Sequence, residues 1–159
     1  MPGASSTDST TTHADWHIRP LAESDYASWL LLWHQYLAYH GIWPEDAPAE
    51  TWSRFMDPAE PMHAIGAFHG ERLDGIAHFI FHRHTWSRAD SCFLADVFTS
   101  PEARRNGVAR ALVEDVYARA ASAGADNVYG TTLAGNEASH KLYDLIATRL
   151  NLVVYRHDL

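Results

Sequence analysis

Apolar residues recur along this 159-residue chain with two different periods, and the change of period separates helices from strands. In residues 26–40 they recur every three or four positions, which is the spacing of one face of a helix. The same spacing returns further on, where one helical face carries Val108, Leu112 and Val116. Between these stretches, short apolar runs are bounded by glycine or by polar turns, which is typical of strands.

Glycine and proline residues indicate where several of the predicted helices begin or end. Gly41 and Gly124 each follow a helical stretch and suit a left-handed helix cap, and Pro48 opens a short second helix. The predicted strands are residues 17–20, 62–68, 73–84, 91–99, 128–133 and 152–155, and the predicted helices are residues 26–40, 48–56, 108–123 and 138–150. The strand–helix–strand unit from 91 to 133 predicts a right-handed crossover between two parallel strands, whereas the hairpins before it are antiparallel. The predicted fold class is therefore α/β with a mixed sheet.

Length and composition predict one globular domain over residues 16–159. The chain is 47% hydrophobic and 20% charged, which is ordinary for a soluble domain. Its longest apolar stretch, at residues 29–33, is far shorter than the roughly 18 residues that a membrane span needs. The Ser- and Thr-rich residues 1–15 are predicted to be a disordered lead-in rather than a secretory signal.

Charge and cysteine content limit the classes of binding partner and the cellular compartment that we expect. The formal net charge of −8 argues against a nucleic-acid partner and is compatible with a cationic substrate. The single cysteine, Cys92, cannot form an internal disulfide, which is consistent with a reducing cytoplasm. Cys92 falls in a predicted buried strand, so an inert core thiol is favoured over a nucleophile that carries the acyl group. We expect a cytoplasmic protein with neither a nucleic-acid nor a membrane partner.

The loop between the strand 91–99 and the helix that follows suits a phosphate group. The first turn of a helix leaves N–H groups unpaired, and its dipole favours an anion there. Gly107 would let a phosphate approach the backbone, and Arg104, Arg105 and Arg110 could add charged hydrogen bonds. By itself this pattern is equally compatible with an ordinary strand-to-helix turn with solvated arginines.

Two motifs together resemble a known family. The order Arg104-Arg105-Asn106-Gly107-Val108-Ala109 is similar to the acyl-CoA motif of the GNAT acetyltransferases. Asn136 and Tyr143 match the second motif of that family, an asparagine and then a tyrosine after six further residues. The resemblance covers roughly residues 16–159. It implies the GNAT acyl-CoA N-acyltransferase fold, a mostly antiparallel mixed sheet with a splayed parallel central strand pair, flanked by four helices.

The resemblance implies acetyl-CoA as the co-substrate. The pantetheine arm would lie between the splayed strands, where backbone N–H groups can stabilise the developing oxyanion. The predicted acetyl-CoA contacts are Val97, Phe98, Thr99, Arg104, Arg105, Asn106, Gly107, Val108, Ala109, Arg110, Asn136 and Ser139.

Two residues are candidates for catalysis. Tyr143 matches the general acid of the family, which protonates the departing thiolate, although a core aromatic on a helix is the alternative. Asp96 is the one carboxylate on the strand 91–99, where it is either a base or cation contact, or a structural anchor. Simple alternation along this strand would place Asp96 on the opposite face from Ala95.

The acceptor is less well defined. The segment around Asp96 resembles the diamine and polyamine branch, but Ala95 and His40 stand where that branch has acidic substrate contacts. The predicted acceptor contacts are His40, Tyr129, Gly130 and Thr131. His78, His82 and His84 share a strand face, but no matching carboxylate or cysteine completes a metal site, so we predict none.

The leading hypothesis is direct acetyl transfer from acetyl-CoA to a primary amine in a ternary complex. The amine belongs to a small polyamine-like or amino-acid-like molecule or to a protein lysine. The alternative is a non-catalytic acyl-CoA-binding regulatory domain. An apolar C-terminal strand at an open sheet edge predicts a homodimer.

Overall fold

The computed structural model describes residues 11–13, 16–42 and 47–159, and they form one sheet covered by helices on both faces. The strands are β1 (Thr11–His13), β2 (Trp16–Pro20), β3 (Met62–His69), β4 (Arg72–Arg83), β5 (Asp90–Thr99) and β6 (Asn127–Gly130). The helices are α1 (Tyr26–Tyr39), α2 (Ala47–Met56), α3 (Val108–Ser122) and α4 (Glu137–Ile146). The six strands lie side by side in chain order, antiparallel except for β5 and β6. The predicted mixed sheet, parallel pair and four flanking helices are confirmed.

Each face of the sheet has its own apolar core. On one face, α1 and α2 pack a tryptophan-rich stripe that includes Trp29, Trp33 and Trp52; we call this the α1-side core. On the other face, α3 packs Leu112, Val116 and their neighbours in the α3-side core, which α4 joins with Tyr143 and Ile146. Because β3 and β4 are covered on both faces, their buried residues run almost without interruption.

The C-terminal end of the chain differs from the sequence prediction. Helix α4 ends at Ile146 rather than residue 150, β6 ends at Gly130 rather than residue 133, and the strand predicted at 152–155 is absent. Residues 147–159 make no strand pairing, and Leu152, Val153 and Val154 are at least three-quarters exposed. The apolar pattern there was sufficient to predict a strand, but none of the described strands pairs with it. The parallel pair β5–β6 therefore lies at the end of the sheet rather than at its centre.

Most of the predicted N-terminal lead-in lies outside the described residues, and its boundary at residue 15 is not tested. Thr11–His13 pairs with β2 as a short strand, and the other residues of the predicted lead-in lie outside the described residues. The division into residues 1–15 and 16–159 stays a prediction. Within the described ranges, no helix combines the length and the apolar character needed to cross a membrane.

A bulge in β5 decides which face Asp96 occupies. The β4–β5 ladder shifts register between His78 and Phe79, because His78 pairs with Asp96 while Phe79 pairs with Leu94. Ala95 is thus an extra residue, and the simple alternation expected along this strand is interrupted. Leu94 packs in the α3-side core, whereas Asp96 contacts His78 on the α1 side.

The entry to α1 is held by a buried ion pair. Asp25 is 9% exposed and accepts hydrogen bonds from Arg19 at 2.6 and 3.0 Å and from the Ala22 N–H at 2.8 Å. The Arg19 hydrogen bond, opposed by burial, lowers the pKa of Asp25. A carboxylate with a lowered pKa stabilises the fold above its unfolded pKa, and that stabilisation is lost as the pH falls through the folded pKa. We expect Asp25→Asn to lower the free energy of unfolding at pH 7 by about 2 kcal/mol.

Urea unfolding at several pH values tests this expectation. The difference between wild type and Asp25→Asn should shrink as the pH falls below about 4, where the wild-type carboxylate also becomes neutral. The matched control is Asp144→Asn, which breaks the exposed Asp144–Arg149 pair and should cost less than about 1 kcal/mol. Equal costs for the two variants would contradict the role of the Asp25 pair.

Candidate functional site

One cavity of about 690 Å³ opens where β5, the start of α3 and α4 meet. It contains most of the residues that the two sequence motifs singled out, although these motifs are far apart along the chain. Its walls include Tyr36, Tyr39, His40, Leu94, Ala95, Val97, Phe98, Thr99, Arg104, Arg105, Gly107, Val108, Ala109, Arg110, Thr131, Asn136, Ser139, Leu142 and Tyr143. None of the described residues that line this cavity is acidic.

The cavity exists because β5 and β6 separate. Their parallel pairing runs from Ser91 to Leu94 on β5 and stops at Gly130 on β6. Beyond Leu94, no described strand pairs with the β6-facing edge of β5, so its backbone polar groups there are open to the cavity. The Thr99 hydroxyl is buried with no hydrogen-bond partner among the described residues. A strand-like ligand with amide groups, such as pantetheine, fits this edge.

The loop before α3 is shaped by two left-handed residues. Gly107, the N-cap of α3, has φ 86°, and Arg105 has φ 62°. No described side chain caps the first turn of α3, so its N–H groups remain available to an anion. A methyl group at Gly107 would meet no other atom within 4 Å, so the space beside this residue is open. The start of α3 is held against the sheet because Val108 packs against Gly75 of β4. These features fit the pyrophosphate of acetyl-CoA.

The basic residues of the loop have distinct surroundings. Arg104 donates to the carbonyl of Thr99 at 3.3 Å and lies 5.7 Å from the Phe98 ring. Arg110 pairs with Glu114 at 2.7 Å and is more than half exposed. Asn106 is outside the cavity wall and folds back, because its amide donates to the carbonyls of Ala103 and Arg104. Arg104, Arg105 and Arg110 all face the cavity, while Asn106 stabilises the turn.

Helix α4 presents the second motif. The Asn136 side chain accepts a hydrogen bond from the Ser139 N–H at 3.2 Å and so caps the start of α4. This cap fixes the first turn of α4, and Asn136, Ser139 and Tyr143 all line the cavity.

Tyr143 belongs to the cavity wall and to the α3-side core at the same time. Burial, together with the nearby Tyr117, raises the pKa of Tyr143 to about 12. The phenol therefore keeps its proton at neutral pH, as a proton donor requires.

Asp96 is not part of the cavity wall but lies directly behind it. Its carboxylate is 3.0 Å from His78 Nδ1, and it is near enough to the Tyr36 hydroxyl to affect the pKa of that group. Burial raises the pKa of Tyr36, and so do the Asp96 charge and the Asp96 hydrogen bond. Tyr143 is also close enough to raise the pKa of Tyr36. Sequence reasoning missed Tyr36; its signal was a polar-tipped aromatic seven residues after Trp29 on the buried stripe of α1.

The predicted acceptor contacts are divided. His40 and Thr131 line the cavity, and the His40 ring lies 4.5 Å from that of Tyr36. Tyr129 and Gly130 are outside the cavity wall. The Tyr129 hydroxyl is instead 2.8 Å from His82 Nε2 on the surface.

Cys92 and the strand histidines lie apart from this chemistry. Cys92 is fully buried in the α3-side core, and burial raises the pKa of its thiol to about 11, which disfavours a nucleophilic thiolate. Across the described ranges, no group of three His, Cys, Asp or Glu residues could hold a metal ion. His78 is buried under α1, while His82 contacts Tyr129 and His84 packs on Trp86.

A splayed strand pair, an uncapped helix end and a protonated phenol in one cavity define an acyl-CoA-dependent transferase. The model of the Acetyltransferase (GNAT) family matches residues 26–145. The chain therefore belongs to this family and is an acetyl-CoA-dependent N-acetyltransferase.

Several known proteins are similar over nearly the whole chain. The D-amino-acid N-acetyltransferase HPA3 of Saccharomyces cerevisiae (strain ATCC 204508 / S288c) is 29% identical over 144 residues, which is 89% of each chain. The aminoglycoside acetyltransferase AAC(6')-Iy, solved with the bisubstrate analogue CoA-S-monomethyl-acetylneamine, has a TM-score of 0.79 at 20% identity, over 93% of this chain and 99% of that one. A ribosomal-protein-alanine N-acetyltransferase from Brucella melitensis biovar Abortus 2308 has a TM-score of 0.73 at 20% identity, over 89% and 98%. These two structures share the fold.

Proposed function

We propose that this enzyme acetylates the primary amine of a small molecule of amino-acid size. The proposal depends on one observation. None of the described residues in the cavity wall is acidic, and one carboxylate, that of Asp96, lies close behind Tyr36. A single partly buried anion suits a single ammonium group, whereas a polyamine would need further acidic contacts. The similarity to HPA3, named for D-amino acids, supports the same size class.

In this proposal the pyrophosphate is bound at the start of α3. The N–H groups of Val108, Ala109 and Arg110 would face the phosphates, and Arg104 and Arg105 would add charge. Val97, Phe98 and Thr99 would contact the pantetheine arm along the open edge of β5. Asn136 and Ser139 would support the same arm from α4.

Two proton transfers complete the reaction. The acceptor amine arrives largely as an ammonium ion, since its pKa is near 10, and must lose a proton before it attacks the thioester carbonyl. Asp96, reached through the Tyr36 hydroxyl, would favour binding of the cation and accept that proton. The amine nitrogen forms the new bond to the acetyl carbon, the carbon–sulfur bond breaks, and Tyr143 would protonate the departing thiolate.

A thiol-release assay with acetyl-CoA tests the acceptor class. The panel contains D- and L-amino acids, a diamine, a polyamine, an aminoglycoside and a lysine peptide, with acceptor-free reactions as the control. We expect the highest kcat/KM among the amino acids. A strong preference for the polyamine or the peptide would contradict the proposed acceptor, and acetyl-CoA binding without turnover on any amine would support the regulatory alternative.

We also propose that two copies of the chain associate through the C-terminal segment, residues 152–155. Soluble proteins rarely expose a continuous apolar run of this kind, and Tyr155 there is 91% exposed. Strand β6 ends the sheet with an open edge among the described strands, and such an edge favours pairing with another chain. A cytoplasmic location is likewise a proposal, supported by the unpaired thiol of Cys92.

Light scattering after size exclusion tests the dimer. We expect wild type to be dimeric at micromolar concentration, and we expect the double variant Leu152→Ser, Val154→Ser to be monomeric because it removes apolar surface from the interface. The control is Leu31→Ser on α1, where an equally apolar side chain is 66% exposed but far from the segment in sequence; it should remain dimeric. A monomeric wild type would refute the proposal.

A further inference from the structure

A line of polar side chains crosses the aromatic α1-side core behind the cavity. His78 is 2% exposed and is surrounded by rings, with Trp33 at 4.8 Å and Phe55 at 4.6 Å between centroids. A polar group in such surroundings is costly unless it is hydrogen-bonded. His78 has two such bonds: Trp29 Nε1 donates to its Nε2 at 2.9 Å, and its Nδ1 lies 3.0 Å from Asp96.

These two partners leave His78 one protonation pattern. The indole nitrogen of Trp29 is a donor only, so His78 Nε2 must be the unprotonated acceptor. The ring proton is therefore on Nδ1, which donates to the Asp96 carboxylate. A charged imidazolium would direct a second N–H at the indole N–H, so the same contact keeps His78 neutral.

The blocked Nε2 also determines what His78 can do. A proton that reaches Asp96 cannot leave through His78, because Trp29 occupies the other ring nitrogen. The route to the cavity would run instead through Tyr36, which lines the cavity and is near enough to Asp96 for that carboxylate to raise the pKa of its hydroxyl. A phenol oxygen can accept a hydrogen bond from an ammonium ion. Trp29, Trp33 and Tyr36 follow one another at helical spacing on α1. One face of this helix therefore provides both Trp29, which contacts His78, and Tyr36, which lines the cavity.

We propose that His78, fixed by Trp29 as the neutral Nδ1–H tautomer, is a positioning residue that holds Asp96 behind Tyr36 for the acceptor amine. The inference rests on the proposed role of Asp96 in amine binding and deprotonation. Tyr36 is the group that touches the amine, and Trp29 acts on the reaction only through His78.

Substitutions at His78 test the proposal through steady-state kinetics. His78→Phe keeps an aromatic ring in the core but removes the donor to Asp96, whereas His78→Asn places an amide N–H near the position of Nδ1. We expect His78→Phe to lower kcat/KM for the amine about tenfold to hundredfold, the loss associated with one hydrogen bond to a charged group, with the dissociation constant of acetyl-CoA unchanged. His78→Asn should recover most of that loss. Equal impairment of both variants, or wild-type kcat/KM in His78→Phe, would overturn the proposal.

Asp96→Asn separates this inference from the proposed function. If Asp96→Asn leaves kcat/KM for the amine unchanged, the role of Asp96 itself fails. If Asp96→Asn impairs the enzyme while His78→Phe does not, only the positioning role of His78 fails.

Nuclear magnetic resonance of ¹⁵N-histidine-labelled enzyme provides a readout that a purely structural role would not move. The His78 signals are assigned by their loss in His78→Asn, and they should report a protonated Nδ1 and an unprotonated Nε2. Trp29→Phe retains the ring packing but leaves Nε2 free to take a proton while Nδ1–H stays bonded to Asp96. The Nε2 signal should therefore move toward that of a protonated nitrogen, and kcat/KM for the amine should fall about threefold to tenfold, the cost of a neutral hydrogen bond. An Nε2–H tautomer in wild type, or an unchanged spectrum in Trp29→Phe, would contradict the assignment.

Discussion

Tyr143→Phe is expected to lower kcat by about 100-fold or more, in the range typical of a lost general acid, while acetyl-CoA binds with nearly unchanged affinity. The substitution removes one oxygen and keeps the ring that packs in the α3-side core. The phenol, whose pKa is raised to about 12, is protonated in almost every molecule at neutral pH. Without it, the thiolate of CoA must leave unprotonated or take a proton from water. Steady-state kinetics with saturating amine and calorimetric titration with acetyl-CoA measure the two quantities separately.

Tyr117→Phe is the matched control for this substitution. Tyr117 lies on α3, packs against the same core and is close enough to Tyr143 to affect its pKa, but it is outside the cavity wall. Its loss should change kcat by less than about threefold, since it contacts no reacting atom. If Tyr143→Phe and Tyr117→Phe have the same small effect, Tyr143 is a core aromatic and another group supplies the proton.

The loop before α3 was predictable because its signals are local. The change of period after β5, the glycine at the helix start and the neighbouring arginines all lie within residues 99–110. The resemblance then connected this loop with Asn136 and Tyr143, and the structure places Gly107, Asn136 and Tyr143 in one cavity. The prediction that side chains alternate along β5 was wrong near Asp96. The bulge at Ala95 interrupts the alternation, and this bulge depends on how β5 pairs with β4.

The Trp29–His78–Asp96 line could not be predicted in the same way. Trp29 and His78 are 49 residues apart, and His78 and Asp96 are 18 apart, so each contact depends on how the helix and the two strands pack. The helical pattern of α1 predicts only that Trp29 is buried, and it gives no partner for the indole N–H. The prediction of a final strand at residues 152–155 was wrong for a related reason. An apolar run predicts extended structure, but it does not show whether another strand lies beside it.

Gly107→Val is the second substitution with a large expected effect. We expect it to weaken acetyl-CoA binding about 100-fold, because it changes two features of the loop that binds the pyrophosphate. Gly107 has φ 86°, a region that β-branched residues rarely adopt, so the loop must rearrange and its N–H groups turn away. The valine side chain also fills the space through which the phosphates approach the backbone. Calorimetric titration with acetyl-CoA measures the loss, and kcat at saturating acetyl-CoA should change much less.

Gly124→Val separates backbone strain from the loss of the site. Gly124 follows the other end of α3 with φ 77°, and a Cβ there, as at Gly107, has no neighbour within 4 Å. The two substitutions therefore impose a similar left-handed strain, about 1–2 kcal/mol, on the same helix. Only the one at Gly107 lies in the cavity wall. Both should lower the melting temperature by a similar amount, while only Gly107→Val loses affinity for acetyl-CoA; equal losses of affinity would mean that α3 transmits strain and that the glycine has no direct part in binding.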